Sequence, residues 1–355
     1  MNSSLFDDKQ FAAPTERIEA DDVFAISDEM QQFLDTDFAR RVHKDGRIAG
    51  LLNALYAKGK RKFEYNSATT GNAAQVFHER NGNCLSYTIM TAAFAKKLGL
   101  TVEFHTVTFG DVWDRNENIE YLIGHVNLTL SVQDTQREPS QLVDIGAFED
   151  ANGELLDDIS EDIIVGMYLN NRAAEALAKN NLDNAYWWAR AAVLRAPAFT
   201  PAYNTLGVIY SRHHNVDQAD RVFSAVLRRE PENLLALSNQ IQVLQALGRT
   251  NESVAMAAKL AQLQPNPPYF YFNRGIAAMH AGDYKTAKAE FIKEVNRASY
   301  NPQFHFGLAL ANYYLGNVEE TRKQLQLAME NSANAAQRDL YAAKLVKLKS
   351  AGMRP

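Results

Sequence analysis

The chain has 355 residues, 46% hydrophobic and 22% charged, a composition of ordinary folded proteins and a length beyond what one core usually serves. A formal charge of −5 and a pI near 5.9 give no basic field for nucleic acid or an anionic membrane, and no apolar run approaches the roughly 18 residues needed to insert in a bilayer. The single cysteine excludes an intramolecular disulfide, and with it a disulfide-stapled secreted scaffold.

Residues 1–25 set Asp7, Asp8, Glu16, Glu19, Asp21 and Asp22 around Pro14 with little periodicity, which predicts a flexible or draped leader. They lack the basic start and apolar centre of an export signal, so the chain reads as cytoplasmic; a periplasmic protein whose signal had been removed would read the same. Ser27 is a predicted N-cap for a helix through about Val42, with Met30, Phe33, Leu34 and Phe38 at helical spacing. Ile48, Leu51, Leu52, Leu55 and Tyr56 mark a second helix that Gly59 stops, before the short basic run from Lys58 to Lys62, which reads as a solvated turn. A third short helix carries Ala73, Ala74, Val76 and Phe77 and leads into Asn81-Gly82-Asn83, three turn formers able to take positive φ.

From Cys84 to about Leu98 the pattern is again helical, with Leu85, Ile89, Ala92 and Ala93 inward and Gly99 at the position of a C-terminal glycine. Thr101 to Phe109, Tyr121 to Val132 and Leu142 to Gly146 read as strands. In the middle one Leu122, Val126, Leu128 and Leu130 share one parity, so His125 and Asn127 point away from the most apolar face. Helices followed by an antiparallel meander predict an α+β domain over residues 26–160.

Beyond that the sequence repeats. Pro197, Pro231 and Pro265 stand 34 residues apart. In the same register run the columns Ala173, Gly207, Ile241, Gly275, Ala309 and Ala185, Ala219, Ser253, Ala287, Thr321. A third column, Asn180, His214, Gly248, Gly282, Gly316, falls at the turn between paired helices. Period, columns and stretches such as Tyr203 to Tyr210 resemble the tetratricopeptide family; five units fit residues 166–335, with a capping helix and tail over 336–355. Such repeats stack into an all-α solenoid whose concave face binds a peptide or protein, so a protein partner is expected there.

The chemistry-bearing constellation is Cys84, His125 and Asp144, in that order. Cysteine catalysis needs a nucleophile at a helix start, where unpaired N–H groups favour the thiolate, an imidazole to take and return its proton, and a carboxylate to orient the imidazole. The backbone N–H groups of Cys84 and Leu85 are the natural oxyanion donors, and the Asn83 or Asn81 side chain is a further candidate or merely part of the turn. Phe109 to Glu120, with Asp111, Trp113, Asp114 and Glu117, reads as a long polar loop in which Trp113 either covers the acyl site or lies on an ordinary surface. His105 reads as structural. His213-His214 has no carboxylate pair at ligand spacing, so neither metal nor cofactor is expected.

Glu79 to Tyr87 around Cys84, then Gly124-His125-Val126-Asn127-Leu128, then Leu142-Val143-Asp144 resemble in kind, order and separation the Cys, His and Asp blocks of the transglutaminase-like domain of bacterial proteins. The resemblance covers about residues 30–150 and implies a papain-like core, with Cys84 as nucleophile, His125 as general base and acid and Asp144 as orienting carboxylate. It implies a cysteine-dependent amide hydrolase or acyl transferase acting on a protein or peptide. The contrasting expectation is a scaffold protein whose first domain has lost catalysis.

Overall fold

A computed structural model describes residues 3–18, 20–56, 63–108, 113–116, 119–122, 125–132, 139–144, 155–332 and 335–350. The described chain is mostly helical, with a small antiparallel sheet. It forms two compact units, one of residues 1–108 with 124–265 and the other of residues 109–123 with 266–355.

In the first unit α1 (Asp28–Phe33) starts at Ser27, whose Oγ accepts the Met30 N–H at 3.3 Å. It passes through a π turn, Leu34–Phe38, into α2 (Ala39–Asp45). The sequence pattern predicts one regular helix here; the structure widens one turn of it, with Leu34 and Phe38 both buried. Gly46, at φ 82, separates α2 from α3 (Arg47–Tyr56). Next come β1 (Glu64–Tyr65), α4 (Ala73–Glu79) behind a full capping box of Asn72 and Gln75, β2 (Asn81–Gly82) and α5 (Cys84–Lys97). The basic run from Lys58 to Lys62, with Gly59, lies outside the described residues.

Helix α5 is buried on every side from Cys84 to Ala95. That is tolerable because its hydroxyls find partners: Thr91 Oγ1 donates to the Tyr87 carbonyl at 2.8 Å, Thr88 Oγ1 to the Val126 carbonyl at 3.3 Å. Against α5 lies the sheet. Its strands are β3 (Thr101–Thr108), then, past the hairpin β4 (Trp113–Asn116) and β5 (Ile119–Leu122) grouped with the second unit, β6 (His125–Ser131), β7 (Gln141–Val143) and β8 (Leu155–Ile159). The order is β7-β6-β3-β8, all antiparallel.

Three sequence expectations change here. The strand predicted over Tyr121 to Val132 is two elements, β5 and β6, in different pairings. The predicted polar loop before it contains the β4–β5 hairpin; Asp111 and Glu117 lie outside the described residues, as do Ile145 and Gly146. Strand β8 has no alternating signal to predict it, because Asp157 and Asp158 interrupt its apolar residues, and pairing with β3 alone orders it. Both faces of β6 are covered, so His125 is as buried as Val126, each 2% exposed.

Three helical pairs complete the first unit: α6 (Glu161–Ala178) with α7 (Leu182–Arg195), α8 (Thr200–Arg212) with α9 (Val216–Arg229), and α10 (Leu234–Ala246) with α11 (Thr250–Leu263). The second unit holds α12 (Phe270–His280) with α13 (Tyr284–Arg297), α14 (Pro302–Tyr314) with α15 (Val318–Glu330), and α16 (Ala335–Ser350). The turn column is the left-handed residue of every pair: Asn180, His214, Gly248, Gly282 and Gly316 have φ of 56, 62, 72, 74 and 79. His214 therefore has a conformational role at its turn.

The small column is a close approach. A Cβ on Gly207 would lie 2.6 Å from the Phe223 ring, and one on Gly275 2.5 Å from the ring of Phe291, the same contact two periods later. Gly207→Ala is expected to destabilise the first unit by about 1–3 kcal/mol, read as a lower urea midpoint; an unchanged midpoint would mean the ring steps aside freely.

The leader is draped, and its packing leaves no room for the flexible alternative. Leu5 and Phe11 are buried, and Phe11 stacks on Tyr186 of α7 with ring centroids 3.9 Å apart. The Asp7 N–H reaches the hydroxyls of Tyr186 and Tyr210 at 3.1 and 2.9 Å. Nor is there a break in the core where the repeats begin: one buried cluster joins Leu5, the α4–α5 region, the sheet and helices α6 to α10.

Candidate functional site

The site grows from the start of α5. Asn83 is its N-cap: Asn83 Oδ1 accepts the Ser86 N–H at 3.0 Å and the Ser86 hydroxyl at 2.9 Å, while Nδ2 donates to Thr70 Oγ1 at 2.8 Å. These bonds make Asn83 the residue that positions the helix start. Thr70 is held in turn by Glu175 of α6, whose Oε1 accepts the Thr70 N–H at 2.7 Å. The first helical pair thus buttresses the loop beneath Cys84. Burial holds the Glu175 carboxyl above its usual range despite Arg172 and the Thr70 bonds.

The Asn81-Gly82 segment is a strand, not a positive-φ turn; the left-handed residue is Arg80, at φ 56. Gly82 is required by space instead, since a Cβ there would sit 2.9 Å from Ser86 Cβ. β2 pairs in parallel with β1, setting Tyr65 opposite Gly82. Tyr87 anchors β1 from α5, its hydroxyl donating to the Glu64 carbonyl at 2.6 Å.

His125, at the start of β6, bridges the other two predicted residues. Its Nε2 lies 2.6 Å from Oδ1 of Asp144, which follows β7. Cys84 lies beside the same imidazole and, like Asp144, favours its protonated form. Burial disfavours the charged ring, but the hydrogen bond it makes to Asp144, the polar contact with Cys84 and the charges of both outweigh it, so His125 is pushed up to about 10. Cys84 and Asp144 thus both meet the one His125 imidazole.

Of the remaining candidates, Leu85 contributes a first-turn N–H with no partner among the described residues; the N–H groups of Ser86 and Tyr87 are taken by Asn83. Trp113 opens β4 opposite Leu122, and its side chain lies outside what is described. His105 is tied to Asp158 at 2.8 Å and Thr129 at 2.9 Å, which satisfies both ring nitrogens in place on the sheet. Among the described residues no cluster of His, Cys, Asp or Glu could hold a metal ion.

One residue at the site has no sequence signal. Tyr65 lies beside Cys84, and burial and the charge of that cysteine push its phenol well above the usual range. Its stretch, Phe63-Glu64-Tyr65, is too short for a strand pattern, and only pairing with Asn81-Gly82 carries it to the cysteine.

No protein-family model matches the chain, and no curated protein does. Among solved structures, it is similar to a thermophilic TPR protein of Thermus thermophilus, at 17% identity over 51% of this chain and 99% of that one, with a TM-score of 0.31. A tetratricopeptide repeat protein of Parabacteroides merdae matches at 19% identity over 52% and 73%, with a TM-score of 0.28. The pilF protein of Pseudomonas aeruginosa matches at 19% over 52% and 84%, with a TM-score of 0.31. Likeness at this level says nothing of partner or chemistry, and the transglutaminase-like resemblance has no counterpart among the three.

The repeats themselves are helical pairs at a 34-residue period, with the left-handed turns and small-residue contacts of tetratricopeptide units. No described helix is long and apolar enough to cross a membrane.

Proposed function

We propose that the first unit is a cysteine-dependent acyl-transfer site of transglutaminase-like type, with a papain-like core, and that the repeats hold a protein partner or substrate for it. The observation that supports this most is the single imidazole of His125 shared between Cys84 and Asp144. In this reading the Cys84 thiolate adds to the carbonyl carbon of a peptide or side-chain amide. The carbonyl electron pair moves to oxygen, facing the N–H groups of Cys84 and Leu85. His125 gives its proton to the leaving nitrogen as the C–N bond breaks, leaving a thioester on Cys84. The ring then takes a proton from water or an incoming amine, which releases the acyl group and restores the thiolate. Asp144 keeps the ring oriented and its charge balanced throughout.

The second reading is a repeat scaffold with a silent cysteine. Two observations favour it: Cys84 is only 8% exposed, and the repeat helices make up about half of the chain. A cleft of about 690 Å³ in the second unit, lined by Lys288, Ile292, Leu308, Asn312 and Glu319 among others, contains none of the triad residues and gives such a scaffold a surface of its own.

Because the chain has one cysteine, every alkylation event reports Cys84. The enzyme reading expects iodoacetamide at pH 6.5 to label the native chain at least as fast as the urea-unfolded chain, since a paired thiolate outreacts a free thiol. Protection of the native thiol by more than about tenfold would favour the scaffold.

A further inference from the structure

The leader and the loop beneath Cys84 are joined by side chains that the reaction itself does not use. Three residues of the first helical pair grip Glu16: its Oε2 accepts from Arg172 at 3.0 Å, and its Oε1 accepts the Trp188 indole N–H at 2.8 Å and Asn184 Nδ2 at 3.3 Å. The Arg172 guanidinium also lies over the Trp188 ring, 5.4 Å from its centroid. The same guanidinium reaches Glu175, whose Oε2 is 3.5 Å away, a link that acts as an ion pair more than as a directed hydrogen bond. The other oxygen of Glu175 holds the Thr70 N–H at 2.7 Å, and Thr70 Oγ1 accepts Nδ2 of Asn83, the cap of the cysteine helix, at 2.8 Å. Thr70 is 1% exposed, which shields these bonds from solvent.

Charge makes this chain of contacts consequential. Glu175 sits where burial favours its protonated form, and Arg172 opposes that. Without the guanidinium the carboxyl takes up a proton, and its hold on the Thr70 N–H weakens. Without Thr70, Asn83 loses the anchor that fixes the first turn of α5, and Cys84 is the first residue of that turn. Glu16 in turn fixes where the half-buried guanidinium lies and balances its charge. We propose that Glu16 and Arg172 are positioning residues for Cys84, so that docking of the leader on the repeats holds the sulfur at His125. This rests on the acyl-transfer reading above, in which that sulfur is ionised beside the imidazole.

The measurement is the pH profile of iodoacetamide labelling in the full-length chain, read at its single cysteine. The ionisable groups beside the sulfur, His125 with its partner Asp144 and Tyr65, are the same in every variant. Arg172→Met is expected to raise the midpoint of the profile by about one unit, toward that of a free thiol. Labelling then slows about tenfold at pH 6.5 and stays within about twofold of wild type at pH 9.5. Glu16→Gln, which keeps the shape of the side chain, should slow labelling by about threefold at pH 6.5. The double variant should be no slower than Arg172→Met alone, because Glu16 acts through Arg172. A midpoint unmoved by Arg172→Met, whatever its unfolding temperature, would overturn the proposal and leave a structural ion pair. Effects that multiply in full in the double variant would also overturn it, by giving the leader another route to Cys84. If Arg172→Met unfolds, Glu16→Gln decides, and an unmoved midpoint there overturns the proposal equally. A wild-type midpoint at the value of a free thiol removes the acyl-transfer reading and this role together; a low wild-type midpoint that both variants retain removes the role of Glu16 and Arg172 alone.

Discussion

Replacing His125 by alanine is expected to slow iodoacetamide labelling of Cys84 by about 30-fold at pH 7, and to leave it nearly unchanged at pH 10. An unassisted thiol is only a few per cent thiolate at neutral pH, whereas one paired with an imidazolium is mostly ionised. At pH 10 an ordinary thiol ionises unaided, and His125, pushed up to about 10, is itself losing its proton, so the advantage disappears from both ends. The same shift has a stability consequence. The folded-state value lies above the unfolded value near 6.5, so the contribution of the charged ring is complete below about pH 6.5, declines as pH rises from there, and is lost above about pH 10.

Asp144→Asn keeps a hydrogen-bonding group at 2.6 Å but removes the charge, so the pH at which His125 deprotonates should fall. An NMR titration of the His125 imidazole reads this directly. Equal labelling rates for wild type and His125→Ala at pH 7 would sink the ion pair, whatever the distances.

The second large effect is far from the cysteine. Phe11→Ala should destabilise the first unit by about 3 kcal/mol, the usual cost of truncating a buried phenylalanine. Phe11 is 6% exposed, stacks on Tyr186 with an interplanar angle of 3°, and lies 4.5 Å from the His213 ring. Its loss would loosen the polar clasp beside it. There the Tyr210 hydroxyl donates to the Leu5 carbonyl at 3.0 Å and the Tyr186 hydroxyl to Asp8 Oδ1 at 2.5 Å. Both phenols are held above their usual range, chiefly by burial, so they remain donors. The urea midpoint and its slope measure the change. A loss under about 1 kcal/mol would show that the leader lies on the repeats without stabilising them.

How legible each part was depends on how local its cause is. The repeat turns were readable because a left-handed residue between paired helices is a local demand, met at every period by glycine, asparagine or histidine. Gly207 and Gly275 were readable as small positions, though not as seats for Phe223 and Phe291, because that contact joins residues 16 apart on different helices. For the leader the sequence left flexible and draped both open, for a related reason. Its acidic composition resembles a free tail, yet the Asp7 N–H and the Asp8 carboxylate meet tyrosines and an arginine some 180 residues away.

By itself the sequence determined the helices, the 34-residue period, the cap at Ser27 and the three residue types that a thiol, a base and an acid would need. These follow from short-range rules of backbone conformation and amphipathic spacing. The tertiary structure decided which of them meet. Pairing of β6 with β7 brings Asp144 to His125, packing of α5 on the sheet brings Cys84 to the same ring, and pairing of β1 with β2 adds Tyr65. Pairing between segments far apart in the chain leaves no periodic trace in any of them, because the partner and not the local sequence supplies the hydrogen bonds.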